Sequence, residues 1–134
     1  MPCELKWYLK DRVLLERLHG VVTLEDVKDS NVQLKALLAS GVAPTHVIVD
    51  LSGVERFPTS LSTIKEFVKP VPNQEILGWV LIFGAQNSLL RFLASMVTQF
   101  TGDNVRMRMF DDLTETLDFI RKQDETLADI PMPD

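Results

Sequence analysis

The sequence predicts an α/β fold: a mixed, mostly parallel five-stranded sheet with about four helices, in the chain order ββαβαβαβα. Three observations carry this expectation. The runs Val47-Ile48-Val49 and Ile76 to Phe83 are apolar without clear alternation, as strands buried on both faces of a parallel sheet are. Stretches with apolar residues three and four apart follow the strands, opened by hydroxyl or carboxylate caps and closed by glycine. The chain begins instead with two apolar segments only a turn apart, which predicts an antiparallel hairpin.

Taken in order, Leu5, Trp7 and Leu9 alternate with Lys6, Tyr8 and Lys10, the period of a half-buried strand. Lys10-Asp11 turns the chain into a second strand, Arg12 to His19, carrying Val13, Leu14, Leu15 and Leu18. Thr23 and Asp26 fit a capping box at the start of a helix. Its stripe of Val27, Leu34, Leu37 and Leu38 is interrupted at Ser30 and Asn31, and Gly41 stops it. The third strand starts near Val47 and is expected to stop at Asp50, where Ser52 and Gly53 signal a turn. After Pro58, Thr59 and Ser60 precede Leu61, Ile64, Phe67 and Val68, the spacing of a short helix ended by Pro70 and Pro72.

Gly84 ends the fourth strand, and Asn87 is placed to cap a helix with Leu89, Phe92, Leu93, Met96, Val97 and Phe100 on one face. Leu90 and Ala94 widen that face. Val105, Met107 and Met109 alternate with Arg106 and Arg108, which predicts a strand near a sheet edge. Asp112 and Glu115 fit a second capping box, before a helix with Leu113, Leu117 and Ile120 inward. Charges and prolines from Gln123 onward predict a frayed tail, so residues 1–122 are read as one domain and 123–134 as its tail.

Composition narrows the function. At 134 residues, with 46% hydrophobic and 25% charged residues, the chain is long enough to bury a core of its own. A formal net charge of -5 argues against broad contact with nucleic-acid phosphates or anionic membranes. Met1 to Lys6 lacks the pattern of a secretory leader, and no apolar run approaches the ~20 residues of a membrane span. Cys3, the single cysteine, cannot form an internal disulfide. Together these predict a cytoplasmic protein with no integral membrane segment.

Catalytic chemistry finds little to work with. The loop after the third strand holds hydroxyls, but neither His19 nor His46 stands in a catalytic motif, and His46 falls at the opposite end of its strand from Ser60. No Cys-x-x-Cys or His-x-x-x-His spacing offers a metal site, and helix capping accounts for Asp111-Asp112. Gly84-Ala85-Gln86-Asn87-Ser88 lacks the glycine repeat and lysine of a phosphate loop. No catalytic residue, metal or cofactor is therefore expected, and the chain is read as not an enzyme.

The stretch Asp50-Leu51-Ser52-Gly53-Val54 resembles the central motif of the STAS family, named for sulfate transporters and anti-sigma-factor antagonists. In that family an apolar strand runs into Asp-Leu-Ser-Gly-Val, and Asp-Ser-Ser-Gly then opens a helix. Here Pro58 stands for the second Asp, Thr59 and Ser60 for the two serines, and Leu61 for the Gly. The predicted element order is also that of the STAS fold, over roughly Leu5 to Lys122. The opening strands and the Gly78-Trp79 strand look more like the SpoIIAA-like branch, which is similar in plan to lipid-binding CRAL-TRIO domains.

The resemblance implies a regulatory module that docks a protein partner. In the antagonist branch that partner is an anti-sigma serine kinase, and the second serine of the box is phosphorylated, which corresponds to Ser60. Thr59, Ser62, Asp50 and Ser52 are the accompanying candidates for phosphorylation or docking. Because the box is degenerate, constitutive docking is expected here rather than switching. The alternative is a carrier or sensor of a small apolar ligand or lipid, held between the sheet and the 87–100 helix by Leu90, Phe92, Leu93, Met96 and Val97. The same face could instead form a homodimer.

Overall fold

The computed structural model describes residues 3–58, 60, 62, 65, 75–85, 88, 91, 95 and 106–132. Its five strands are β1 (Cys3–Leu9), β2 (Val13–Val21), β3 (Thr45–Arg56), β4 (Leu77–Phe83) and β5 (Arg106–Phe110). They lie side by side in sequence order. β1 pairs antiparallel with β2, and the other three pairings are parallel. The described α-helices are α1 (Leu24–Ala39) and α2 (Leu113–Gln123), followed by a 3-10 turn at Glu125–Leu127.

The hairpin closes without glycine because Asp11 takes the left-handed conformation, φ 66, which a short polar side chain tolerates. Arg12 N–H then donates to the Leu9 carbonyl at 3.0 Å. α1 begins at the expected capping box, with Thr23 and Asp26 each bonding the other's backbone N–H. α2 begins at Asp112, whose carboxylate accepts from Glu115 N–H at 2.9 Å. The reciprocal bond differs from expectation: Glu115 reaches the N–H of Asp111 rather than that of Asp112.

The sheet is covered on both faces. Val13, Leu15, Ile48, Leu81 and Phe83 pack against Leu117 and Ile120 of α2. On the other face Leu14 and Val47 meet Leu38 of α1, while Leu18, Leu51 and Ile82 gather around Val27 and Val22. β2 and β3 therefore run mostly buried through the centre, with the apolar runs Val13–Leu15 and Val47-Ile48 shielded on both faces.

Three expectations are corrected. First, the third strand does not stop at Asp50 but continues to Arg56. Arg17 pairs with Asp50 and His19 with Gly53, so Leu51 and Ser52 oppose Leu18 alone in a β-bulge. The polar residues that read as a turn bend the strand instead of ending it, because β2 runs on beside it.

Second, residues 124–132 are no frayed tail. Leu127 and Ile130 are buried in the core with α2, and Tyr8 Oη donates to the Pro131 carbonyl. Two apolar side chains spaced through a polar stretch fold it back, together with the bonds that Asp124 accepts. Third, the described order is ββαβββα, with two α-helices rather than about four. The expected helices at 61–68 and 87–100 fall largely outside the described residues, although Ser62, Lys65, Ser88, Arg91 and Ser95 are helical. Among the described residues, no helix is long and apolar enough to cross a membrane.

Candidate functional site

In a parallel sheet the carboxyl ends of the strands form one rim, and here it collects the end of β2, the bulged end of β3 and Gly84 after β4. Asp50 organises it. Its side chain, only 7% exposed, accepts from Ser52 N–H at 2.8 Å and from Ser52 Oγ at 2.6 Å. The other oxygen accepts from Arg17 Nε at 3.1 Å. Since the arginine side chain is 43% exposed, water screens this pair and its main effect is to orient the carboxylate.

Two glycines let the backbones close around this network. A Cβ on Gly84, whose φ is +81, would lie 2.9 Å from both Cβ and N of Ser52. A Cβ on Gly53 would lie 3.0 Å from that of His19. β4 and β2 thus brace the bulge from either side. Beyond it Glu55 and Arg56 are exposed, while half-buried Phe57 packs onto the α1-side core and pins the chain where it leaves the sheet.

Of the residues singled out in the sequence, the structure brings Asp50 and Ser52 into direct contact. Ser52, Ser60 and Ser62 are exposed, and Ser62 is helical, whereas Thr59 lies outside the described residues. Leu90, Phe92, Leu93, Met96 and Val97, the expected ligand or dimer face, also lie outside them. Nearby, Arg91, Met109, Phe110, Asp111 and Glu115 line an open recess of about 140 Å³. That is below the ~300 to 1,000 Å³ of ordinary small-molecule sites.

His46 sits at the opposite rim, at the start of β3, with its side chain 3% exposed. Nδ1 accepts from Trp79 N–H at 2.9 Å, so the ring proton is assigned to Nε2, which donates to Asp124 at 3.0 Å. Burial holds the imidazole below its usual range, against the pull of Asp124. With both ring nitrogens engaged, His46 has no lone pair for a nucleophile's proton. It anchors the C-terminal segment instead. Asp124 also accepts from Arg12 Nη2 at 2.9 Å and from Thr126 N–H at 3.0 Å. Burial alone would raise the Asp124 carboxyl, but Thr126, His46 and Arg12 hold it below the ordinary carboxylate value.

A buried polar group under α1 is invisible to motif reading. Glu16 of β2, among the apolar residues of the core, accepts from Ser30 Oγ at 2.7 Å. Burial raises its pKa, opposed by the Ser30 bond. Cys3, beside it, is pushed up to about 11 by burial and then by the Glu16 charge. The one sequence signal is periodic: Glu16 falls on the strand face of Leu14 and Leu18, and Ser30 interrupts the helix stripe of Val27 and Leu34. Among the described residues, no group of three His, Cys, Asp or Glu is placed to hold a metal.

Comparison with known proteins places the fold. No family model matches the chain, and no curated protein does. Among solved structures, an uncharacterized protein of the DUF3478 family from Shewanella loihica PV-4, described as having a SpoIIAA-like fold, superposes with a TM-score of 0.59 at 20% identity, over 87% of this chain and 90% of that one. The anti-sigma factor antagonist SpoIIAA in its unphosphorylated form superposes with a TM-score of 0.60 at 14% identity, over 90% and 96%. The chain therefore has a SpoIIAA-like fold, as Asp50 to Val54 and the element order implied.

Proposed function

On the premise of this SpoIIAA-like fold, we propose that the chain is a non-enzymatic regulatory module that docks a protein partner through the carboxyl-end rim, from Ser52 through Ser62. The observation that carries this reading is the Asp50 network. A buried carboxylate, two close-packed glycines and an arginine hold a bulged strand end rigid, while Ser52, Gly53, Glu55 and Arg56 stay exposed on it. A preorganised exposed segment loses little conformational freedom on binding, which is what a docking surface needs.

The partner class the fold suggests is an anti-sigma serine kinase, and Ser60 is the residue it would modify. A phosphate there would add ~1.5 to 2 negative charges at the contact surface and act by repelling the partner. With Pro58 and Leu61 in place of the family's Asp and Gly, we read docking as constitutive. Isothermal titration against candidate anti-sigma serine kinases tests this. Glu55→Arg and Arg56→Glu, both at exposed positions, are expected to abolish binding without unfolding the sheet, and Ser60→Asp to weaken it. Unchanged affinity in Glu55→Arg and Arg56→Glu would place the contact elsewhere.

A further inference from the structure

β5 ends the sheet order, and among the described residues no strand lies beyond it. Arg106 and Arg108 are both exposed on it. Being two residues apart, they leave the same face of the strand about 7 Å from each other. Neither guanidinium is loose. Arg106 lies 5.3 Å from the Trp79 ring centre, and Arg108 lies 5.3 Å from that of Phe119 and 6.0 Å from that of Trp79. The platform beneath them is itself packed: Trp79 meets Phe119 edge to face at 4.9 Å, and Phe110 sits 5.2 Å from Phe119.

Of the five other arginines, four find carboxylates among the described residues, and exposed Arg56 does not. Arg12 pairs with Asp124, Arg17 with Asp50, Arg91 with Asp111 and Arg121 with Asp118. Among the described residues no carboxylate pairs with Arg106 or Arg108, although the chain carries a net charge of -5. A strand edge guarded against aggregation needs only charge, which a free lysine supplies as well. Cation–π contact does something further. It holds the guanidinium groups over the rings, which restricts the side chains while their N–H groups remain available to carboxylates.

We infer that the Arg106–Arg108 edge binds an acidic, extended segment of a partner protein, with carboxylates at alternate positions and its backbone laid along β5. The repeat of an extended chain matches the spacing of the two arginines, and a sheet edge is a common template for such a segment. Each exposed ion pair contributes little, so the contact is weak and salt-sensitive, with the existing ring contacts reducing the ordering cost. This face is distinct from the Ser52–Ser62 rim, and neither assignment depends on the other.

The test titrates the whole chain with a short labelled peptide alternating Glu with Thr, at low salt and at about 0.5 M salt. Guanidinium Nε resonances of Arg106 and Arg108 are followed by NMR. Both are expected to shift, and affinity is expected to fall about tenfold or more in Arg106→Gln/Arg108→Gln and again at high salt. Arg106→Lys/Arg108→Lys should recover only part of the loss, since lysine keeps the charge without the planar fork. A Lys–Thr peptide should leave the resonances in place. The inference is overturned if the double Gln variant, still folded by circular dichroism, binds equally. It is also overturned if inorganic phosphate displaces the peptide at matching concentration, or if anionic vesicles bind these arginines and the peptide does not.

Discussion

Replacing Asp124 with alanine tests the anchoring of the C-terminal segment. The carboxylate accepts from His46 Nε2, Arg12 Nη2, Thr126 N–H and Thr126 Oγ1. Its loss strands the N–H of a buried imidazole, costing about 1 to 3 kcal/mol. The partly exposed Arg12 pair adds no more than about 1 kcal/mol. The sum, about 1 to 4 kcal/mol, is a sizeable part of the ~5 to 15 kcal/mol that stabilises a domain. Urea unfolding followed by circular dichroism reads the loss, and hydrogen exchange locates it: amides of 125–132 should exchange faster while those of β2 and β3 follow global stability.

Acid should reproduce part of this effect in the wild type. His46 has its pKa lowered by burial, so its neutral form contributes stability that is complete above about 6.5 and erodes as pH falls below that value. The depressed Asp124 value adds a second loss at lower pH, below its ordinary 3.8. A midpoint in Asp124→Ala within about 0.5 kcal/mol of wild type, with unchanged exchange in 125–132, would refute the anchor.

Gly84→Ala should destabilise by about 1 to 3 kcal/mol, because it combines a left-handed backbone with a 2.9 Å approach to Ser52, whereas Gly20→Ala meets no atom within 4 Å and should cost only about 1 kcal/mol; thermal melts of the two variants compare them directly. Glu16→Gln should flatten the alkaline side of the stability profile. The raised pKa means that the wild-type contribution is complete below 4.5 and is lost as pH rises through the folded value, a difference that urea titrations between acid and mild base resolve. Cys3, buried and with its thiol near 11, should react with iodoacetamide at mild alkaline pH far more slowly in the folded chain than in urea.

Much of the fold was legible because burial imposes a period. The runs through Val47–Val49 and Ile76 to Phe83 read as buried strands and Val13–Leu15 as part of the opening hairpin, and the cap residues Thr23 and Asp112 announced their helices. The length of β3 was not, because Asp50, Ser52 and Gly53 carry turn chemistry locally and only pairing with β2 keeps them in the sheet. Ordering of 124–132 was hidden for a similar reason: Leu127 and Ile130 show no period, and their partners lie on distant strands. At the rim, Asp50 and Ser52 could be named from the motif, but not Arg17, since salt-bridge partners on neighbouring strands leave no spacing in one sequence. The bond between Glu16 and Ser30 was hidden in the same way.

Hydrogen exchange of the chain with and without a bound anti-sigma serine kinase tests the docking account most directly. The account predicts slowed exchange concentrated at Ser52 to Ser62 and around Gly84, with β1 and α2 unaffected. Slowing confined to α2 or to β1, with the amides of Ser52 to Arg56 unchanged, would contradict it.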